Sequence, residues 1–216
     1  GGAWIIGDKR EQGLPLLYHM AANGWVGFNV NYRLCPRATW PEPLDDVRAA
    51  VAWVRAHAAR YGADPAFVGI TGGSAGGHLA ALASLAPRVP DERVDAAALF
   101  YGVYDFTDRR GLLPPRFVHG LLRKRVVKRS IAEAPDVYRD ASPLDVVHPG
   151  APPTLVIHGA RDVLAPAGYA SDYVAALRAQ GVRAAAAILP GAQHAFDVFM
   201  SPRTRITAAW VLGFFE

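Results

Sequence analysis

Short, almost wholly apolar runs recur along the chain, separated by longer segments of helical periodicity. "VGFNVNYR" (26–33), "AFVGITG" (66–72), "VDAAALFYG" (94–102), "APPTLVIHG" (151–159) and "RAAAAILPG" (183–191) all read as strands. A strand covered on one face alternates apolar and polar residues, whereas runs such as "TLVIH" are nearly continuous and fit a sheet covered on both faces. "PLDDVRAAVAWVRAHAARYG" (43–62) sets Leu44, Val47, Val51, Val54 and Ala58 on one stripe, with Pro43 in its first turn and Gly62 at its stop. "SAGGHLAALASLA" (74–86), "GYASDYVAALRAQG" (168–181) and "RTRITAAWVLGFFE" (203–216) also read as helices. Strands joined through helices imply right-handed crossovers, hence a mostly parallel sheet with helices on both faces: an α/β fold.

One stretch breaks the alternation. From about residue 104 to 147 there is no clean strand, only helical pieces and several prolines. We expect a small helical cap inserted over the carboxyl edge of the sheet, where open α/β folds bind ligands. "RFVHGLLRKRVVKRS" within it interleaves Arg116, Arg123, Lys124, Arg125, Lys128 and Arg129 with Phe117, Leu121, Leu122, Val126 and Val127. That pattern suits a cap helix with a solvated basic side, and also an interfacial helix touching anionic lipid.

With 216 residues, 51% of them hydrophobic, the chain suits a single domain, 1–216, and leaves little room for disorder. The net charge of +4 is spread over scattered arginines and does not suggest nucleic acid. Cys35, the one cysteine, has no partner for an internal disulfide, and no metal-type Cys/His spacing accompanies it, so neither metal nor cofactor is expected. No apolar run reaches the roughly 20 residues that span a bilayer. The first residues, "GGAWIIGDKREQG", lack an initiator methionine and open inside a glycine-rich loop, as expected of a domain cropped from a longer chain.

Gly72-Gly73-Ser74-Ala75-Gly76 matches G-x-S-x-G and lies between a strand and a helix. At such a turn the serine projects its hydroxyl above the sheet, and the Ala75 amide sits at a helix N-terminus that favours an oxyanion. A serine hydroxyl needs a base, and the base an orienting acid. In this architecture the order is Ser, acid, His. His78 falls inside the elbow helix, His119 in the cap, His148 near a proline turn and His158 near a strand end; only His194 follows the last sheet acids on a strand-to-helix loop. Asp162, in "HGARDVLAP", precedes it by one helix and one strand, while Asp197 is expected to cap the terminal helix.

These residues bring a family into view. The chain resembles α/β-hydrolases of the hormone-sensitive-lipase-like carboxylesterase group, and more narrowly actinobacterial and mycobacterial esterases with a "GGSAGGH" elbow. The likeness rests on "GGAW", "NYRLCPRATWPEPLDD", "GITGGSAGGHLAALA", "HGARDVLAP" and "PGAQHAFD". It implies an α/β-hydrolase fold whose leading strands lie upstream, and a catalytic triad of Ser74, Asp162 and His194. It further implies that "GGAW" is the remainder of an oxyanion loop, with the amides of Gly2, Ala3 and Ala75 cradling the anion. The implied activity is hydrolysis of small-molecule esters of short to medium acyl chains. An amidase or arylformamidase with the same triad, and a non-catalytic ligand-binding relative, are the alternatives. The elbow departs from the group in reading Gly-Gly-Ser where Gly-Asp-Ser is commoner, and "RLCPRAT" lacks the acid usual after the proline.

Overall fold

Four strands form one parallel sheet in the order β1 (Gly69–Gly73), β2 (Ala96–Phe100), β3 (Thr154–Gly159) and β4 (Ala184–Leu189). The structure is a computed structural model describing residues 1–216, apart from the side chains of residues 118 and 119. The register sets Thr71 beside Ala98, Leu99 beside Val156 and Ile157 beside Ala187. Around the sheet lie α1 (Leu14–Ala22), α2 (Glu42–His57), α3 (Ala75–Leu85), α4 (Pro135–Asp140), α5 (Ala167–Ala179) and α6 (Pro202–Phe215). A wide-turned helix spans Arg116–Val126.

Helices cover both faces, as continuous apolar strands require. Ala97 and Leu99 of β2 point into a cluster with Ala80 and Ala81 of α3 and Tyr173 and Leu177 of α5. Their neighbours Ala98 and Phe100 point the other way, against Met20 of α1 and Val211 of α6. Every residue of β2 is therefore buried. Leu44, Val47 and Val51 of α2 are buried as their spacing demands, and a 3-10 turn from Ala58 to Tyr61 ends at Gly62, whose φ of 77° is the left-handed stop.

Two local assignments differ from the sequence reading. Residues 26–33 are extended, but among the described residues no strand pairs with them. Their polar side chains bind the preceding loop instead: Asn31 Oδ1 accepts from the Lys9 amide at 2.7 Å, and Asn29 Nδ2 donates to the Gln12 carbonyl at 3.0 Å. The second difference is α1, which the pattern of apolar runs did not mark; its buried Met20 packs in the same cluster as Val211 of α6.

The 104–147 segment enters through the buried Tyr104, Asp105 and Phe106. The buried Asp105 carboxylate accepts from the Thr107 and Arg109 amides and from Arg109 Nε, at 2.8, 3.0 and 2.9 Å. Leu122, Val126 and Val127 join a cluster with Trp4, Leu79 and Ala165, while Arg123, Lys124, Arg125, Lys128 and Arg129 are exposed. No described helix is long and apolar enough to cross a membrane.

Leu99 is wholly buried in the central strand. Leu99→Ala is expected to lower unfolding free energy by about 2–5 kcal/mol, whereas Ile206→Ala, at a side chain 52% exposed on α6, should cost less than about 1 kcal/mol. Urea denaturation of both variants checks the contrast.

Candidate active site

The chain turns sharply from β1 into α3, and Ser74 occupies the turn with φ 57° and ψ −121°, a conformation disfavoured for any residue with a Cβ. Its amide donates to the Phe100 carbonyl and its carbonyl accepts from the His78 amide, both at 3.0 Å. Strand and helix approach so closely that a Cβ on Gly72 would lie 2.5 Å from the Gly76 carbonyl oxygen. Only glycine fits there, so the turn has one shape and its serine one direction.

Ser74, His194 and Asp162 form one hydrogen-bonded line. Ser74 Oγ lies 2.8 Å from His194 Nε2, and His194 Nδ1 lies 2.6 Å from Asp162 Oδ2. A carboxylate only accepts, so Nδ1 carries the ring proton and Nε2 is left to accept from the serine hydroxyl. Asp162 leaves β3 and His194 leaves its neighbour β4, and the Arg161 amide donates to the Ala192 carbonyl at 2.9 Å, joining the two loops.

Burial alone would raise the Asp162 carboxyl. Hydrogen bonds from His158, His194 and the Ala165 amide, with the electrostatic pull of His194, outweigh it and hold the group well below the usual carboxylate range. The Leu164 and Ala165 amides reach Oδ1 at 2.9 and 2.8 Å. The buried His158 Nε2 lies 2.6 Å from the Ala165 carbonyl and 3.3 Å from Asp162 Oδ2, bracing the acid from behind.

Gly2, Ala3 and Trp4 are consecutive residues of positive φ, at 79°, 52° and 62°. This strained loop is pinned on three sides. The Tyr32 hydroxyl donates to the Gly1 carbonyl at 2.7 Å, the Cys35 amide to the Trp4 carbonyl at 2.8 Å, and Trp4 Nε1 to His78 Nδ1 at 3.2 Å. The loop abuts the first turn of α3, since a Cβ on Gly76 would lie 3.3 Å from Gly1 N. Ala75 opens that turn, where amides have no acceptor within the helix. Ala3, next to Gly2 in the strained loop, packs against the cluster that contains Ala75.

His78 is fully buried, stacked on Phe106 at 4.4 Å, and donates from Nε2 to the Ala141 carbonyl at 2.8 Å. Burial lowers its pKa to about 3, the Ala141 bond opposing, so the ring is neutral and holds the Trp4 loop. Sequence reasoning dismissed this residue as a base and missed its role as a bracket. It also misassigned Asp197. The cap of α6 is Ser201, whose Oγ accepts from the Thr204 amide at 3.1 Å, while Asp197 accepts from the Tyr101 hydroxyl. His148 binds the Leu85 carbonyl at 2.7 Å; the side chain of His119 lies outside the described residues.

Exposed apolar side chains follow the acid and the base in the chain: Val163 and Leu164 come directly after Asp162, and Phe199 and Met200 five and six residues after His194. Among the described residues no group of three His, Cys, Asp or Glu side chains is placed to hold a metal ion.

Comparison with known proteins gives a consistent set. A family model described as BD-FAE matches residues 1–177. The chain is 45% identical to the probable carboxylic ester hydrolase LipM of Mycobacterium tuberculosis, over 99% of this chain and 52% of that protein. It is 42% identical to the esterase LipQ of the same organism, over 99% and 53%. The chain therefore spans about half the length of the curated relatives it matches. Among solved structures, a propionate-bound thermophilic esterase from Thermogutta terrifontis superposes with TM-score 0.81 at 28% identity, covering 99% of this chain and 79% of that one. A truncated carbohydrate esterase from gut microbiota gives 0.78 at 25%, covering 100% and 83%.

The buried imidazole makes the arrangement testable. In the unfolded chain a histidine titrates near about 6.5, whereas folded His78 titrates at about 3. Between those values the unfolded state binds more protons, so stability falls as pH falls, by at most about 1.4 kcal/mol per pH unit. Urea denaturation at about pH 7 and about pH 5 should show a loss of about 2 kcal/mol from this group. His78→Gln, which can keep both hydrogen bonds without titrating, should remove that part of the slope. An unchanged slope overturns the assignment.

Proposed function

This chain belongs to the BD-FAE family, and from that premise we propose that it hydrolyses small-molecule carboxylic esters through an acyl-serine intermediate. The observation that carries the reading is the unbroken line from Ser74 Oγ through His194 to Asp162, at 2.8 and 2.6 Å, starting from a serine held in a strained turn. The names of its relatives, a carboxylic ester hydrolase and esterases, support the same reaction class.

Ser74 Oγ attacks the ester carbonyl carbon as its proton passes to His194 Nε2. Asp162, held ionised, keeps Nδ1 protonated and stabilises the imidazolium. The carbonyl oxygen becomes an oxyanion facing the amides of Ala75, Gly2 and Ala3; losing one such donor typically costs about 2.7–4 kcal/mol. The bond to the alkoxy oxygen breaks, and Nε2 returns the proton to the leaving alcohol. A water then gives a proton to Nε2 while its oxygen attacks the acyl carbon, and collapse frees the carboxylic acid and restores the Ser74 hydroxyl. The loop strain at Gly2 to Trp4 and at Ser74 serves this chemistry, because donors fixed before the charge develops need no reorganisation.

With the exposed apolar Val163, Leu164, Phe199 and Met200 close in the chain to the acid and the base, the substrates are esters with an apolar acyl or alcohol group, held along an apolar rim. Each methylene buried on this rim is worth up to about 0.8 kcal/mol. Joint replacement of Leu164 and Phe199 by serine should lower kcat/KM for a p-nitrophenyl hexanoate about tenfold more than for the acetate.

Ser74→Ala tests the reaction itself. Turnover of p-nitrophenyl acetate and butyrate should fall by about 10⁴-fold or more with the fold intact by circular dichroism. Wild-type turnover in that variant, or anilide hydrolysis exceeding ester hydrolysis in the parent, removes the proposal.

A further inference from the structure

The most unusual neighbour of the Ser-His-Asp line is Tyr101, the first residue after β2. It is 5% exposed and has a positive φ of 35°. Its amide donates to the Ile157 carbonyl at 2.9 Å, which fixes the backbone to β3. Its phenol then reaches across the sheet edge and meets both catalytic loops.

Toward the elbow, the phenol fills the space that Gly73 leaves empty. A Cβ on Gly73 would lie 2.8 Å from the Tyr101 hydroxyl oxygen and 2.9 Å from ring carbon Cε2. Toward the base loop, three nearly consecutive residues surround the ring. His194 packs on it with centroids 4.8 Å apart and Phe196 meets it edge-on at 5.5 Å. Asp197 Oδ1 accepts a hydrogen bond from the Tyr101 hydroxyl. Ala195, between these contacts, has φ 56°, a left-handed conformation that strains a non-glycine residue. Such a conformation persists only where the flanking residues are held, and Tyr101 holds both sides.

We infer that Tyr101 is a positioning residue of the hydrolase. Its phenol, clamped to Asp197 and wedged against Gly73, sets the base loop so that His194 Nε2 faces Ser74 Oγ. Tyr101 acts through His194, against whose ring it packs. The clamp also accounts for the elbow reading Gly-Gly-Ser, because a side chain at position 73 and a phenol from position 101 would claim the same volume. The ionisation behaviour fits a desolvated pair. Burial raises the Asp197 carboxyl against the pull of the phenol and His194, and burial together with Asp197 raises the phenol well above its ordinary value.

The inference rests on the hydrolase reading, so its test has one readout that depends on turnover and one that does not. Tyr101→Phe keeps the ring and removes only the hydroxyl. It is expected to lower kcat about tenfold with KM changed less than twofold, since a small misplacement of the base acts on the chemical step. Amide hydrogen exchange over residues 192–199 should accelerate about tenfold, with the strands unchanged. Asp197→Ala should match Tyr101→Phe in both readouts, the double variant should be no worse than either, and Asp197→Asn, which keeps an acceptor, should recover most of the loss. Wild-type kcat in Tyr101→Phe, additive losses in the double variant, or unchanged exchange over the loop overturns the clamp. A parent protein inert toward all esters overturns the hydrolase reading instead, and the exchange measurement alone then decides the clamp.

Discussion

The site depends on one constraint: consecutive parallel strands that all deliver their carboxyl ends to the same edge. Each of the four strands hands over one residue there. β1 is followed by Ser74, β2 by Tyr101, β3 leads to Asp162 and β4 to His194. Residues 120 positions apart, Ser74 and His194, meet within 2.8 Å because the sheet, not the loops, sets their spacing. The loops need only correct a few ångströms, and they are short and anchored enough to do so. Parallel pairing also explains why the sheet must be buried on both faces, which leaves the rim as the place where polar chemistry meets solvent.

A second theme is strain held in place by packing. Ser74, the Gly2–Trp4 loop, Tyr101 and Ala195 all adopt positive φ. Backbone of this kind costs energy and persists only where neighbours over-determine it. Here the neighbours are named: Gly72 and Gly76 at the elbow, Tyr32, Cys35 and His78 at the first loop, Ile157 and Asp197 at the third. Adopting those conformations during folding leaves little rearrangement for the moment of reaction.

The elements the sequence made legible are those whose signal is local. The apolar runs that became β1 to β4 carry burial on both faces in their composition, and the α2 stripe carries its helical period. The elbow was readable because glycine spacing and a flanking strand and helix lie within a dozen residues, and Asp162 and His194 because chain order filters the candidates. What failed was pairing and partnership. Residues 26–33 have the composition of a strand, but composition does not supply a neighbour, and the asparagines found hydrogen bonds elsewhere. Asp197 has the right position for a helix cap, yet a phenol 96 residues away claims it. His158 behind Asp162 and His78 beneath Trp4 lie inside recognisable motifs, but their partners are set by tertiary packing.

The buried bracket at His78 has a consequence for proton traffic. Two histidines bind Ser74: His78 through its backbone amide, one helical turn along the chain, and His194 through its ring, from a distant loop. The ring of His78 has no free nitrogen to offer. Both of its nitrogens are committed, one receiving from an indole and the other giving to a carbonyl. A proton leaving Ser74 therefore has one imidazole to go to, and it is the one that Asp162 steadies.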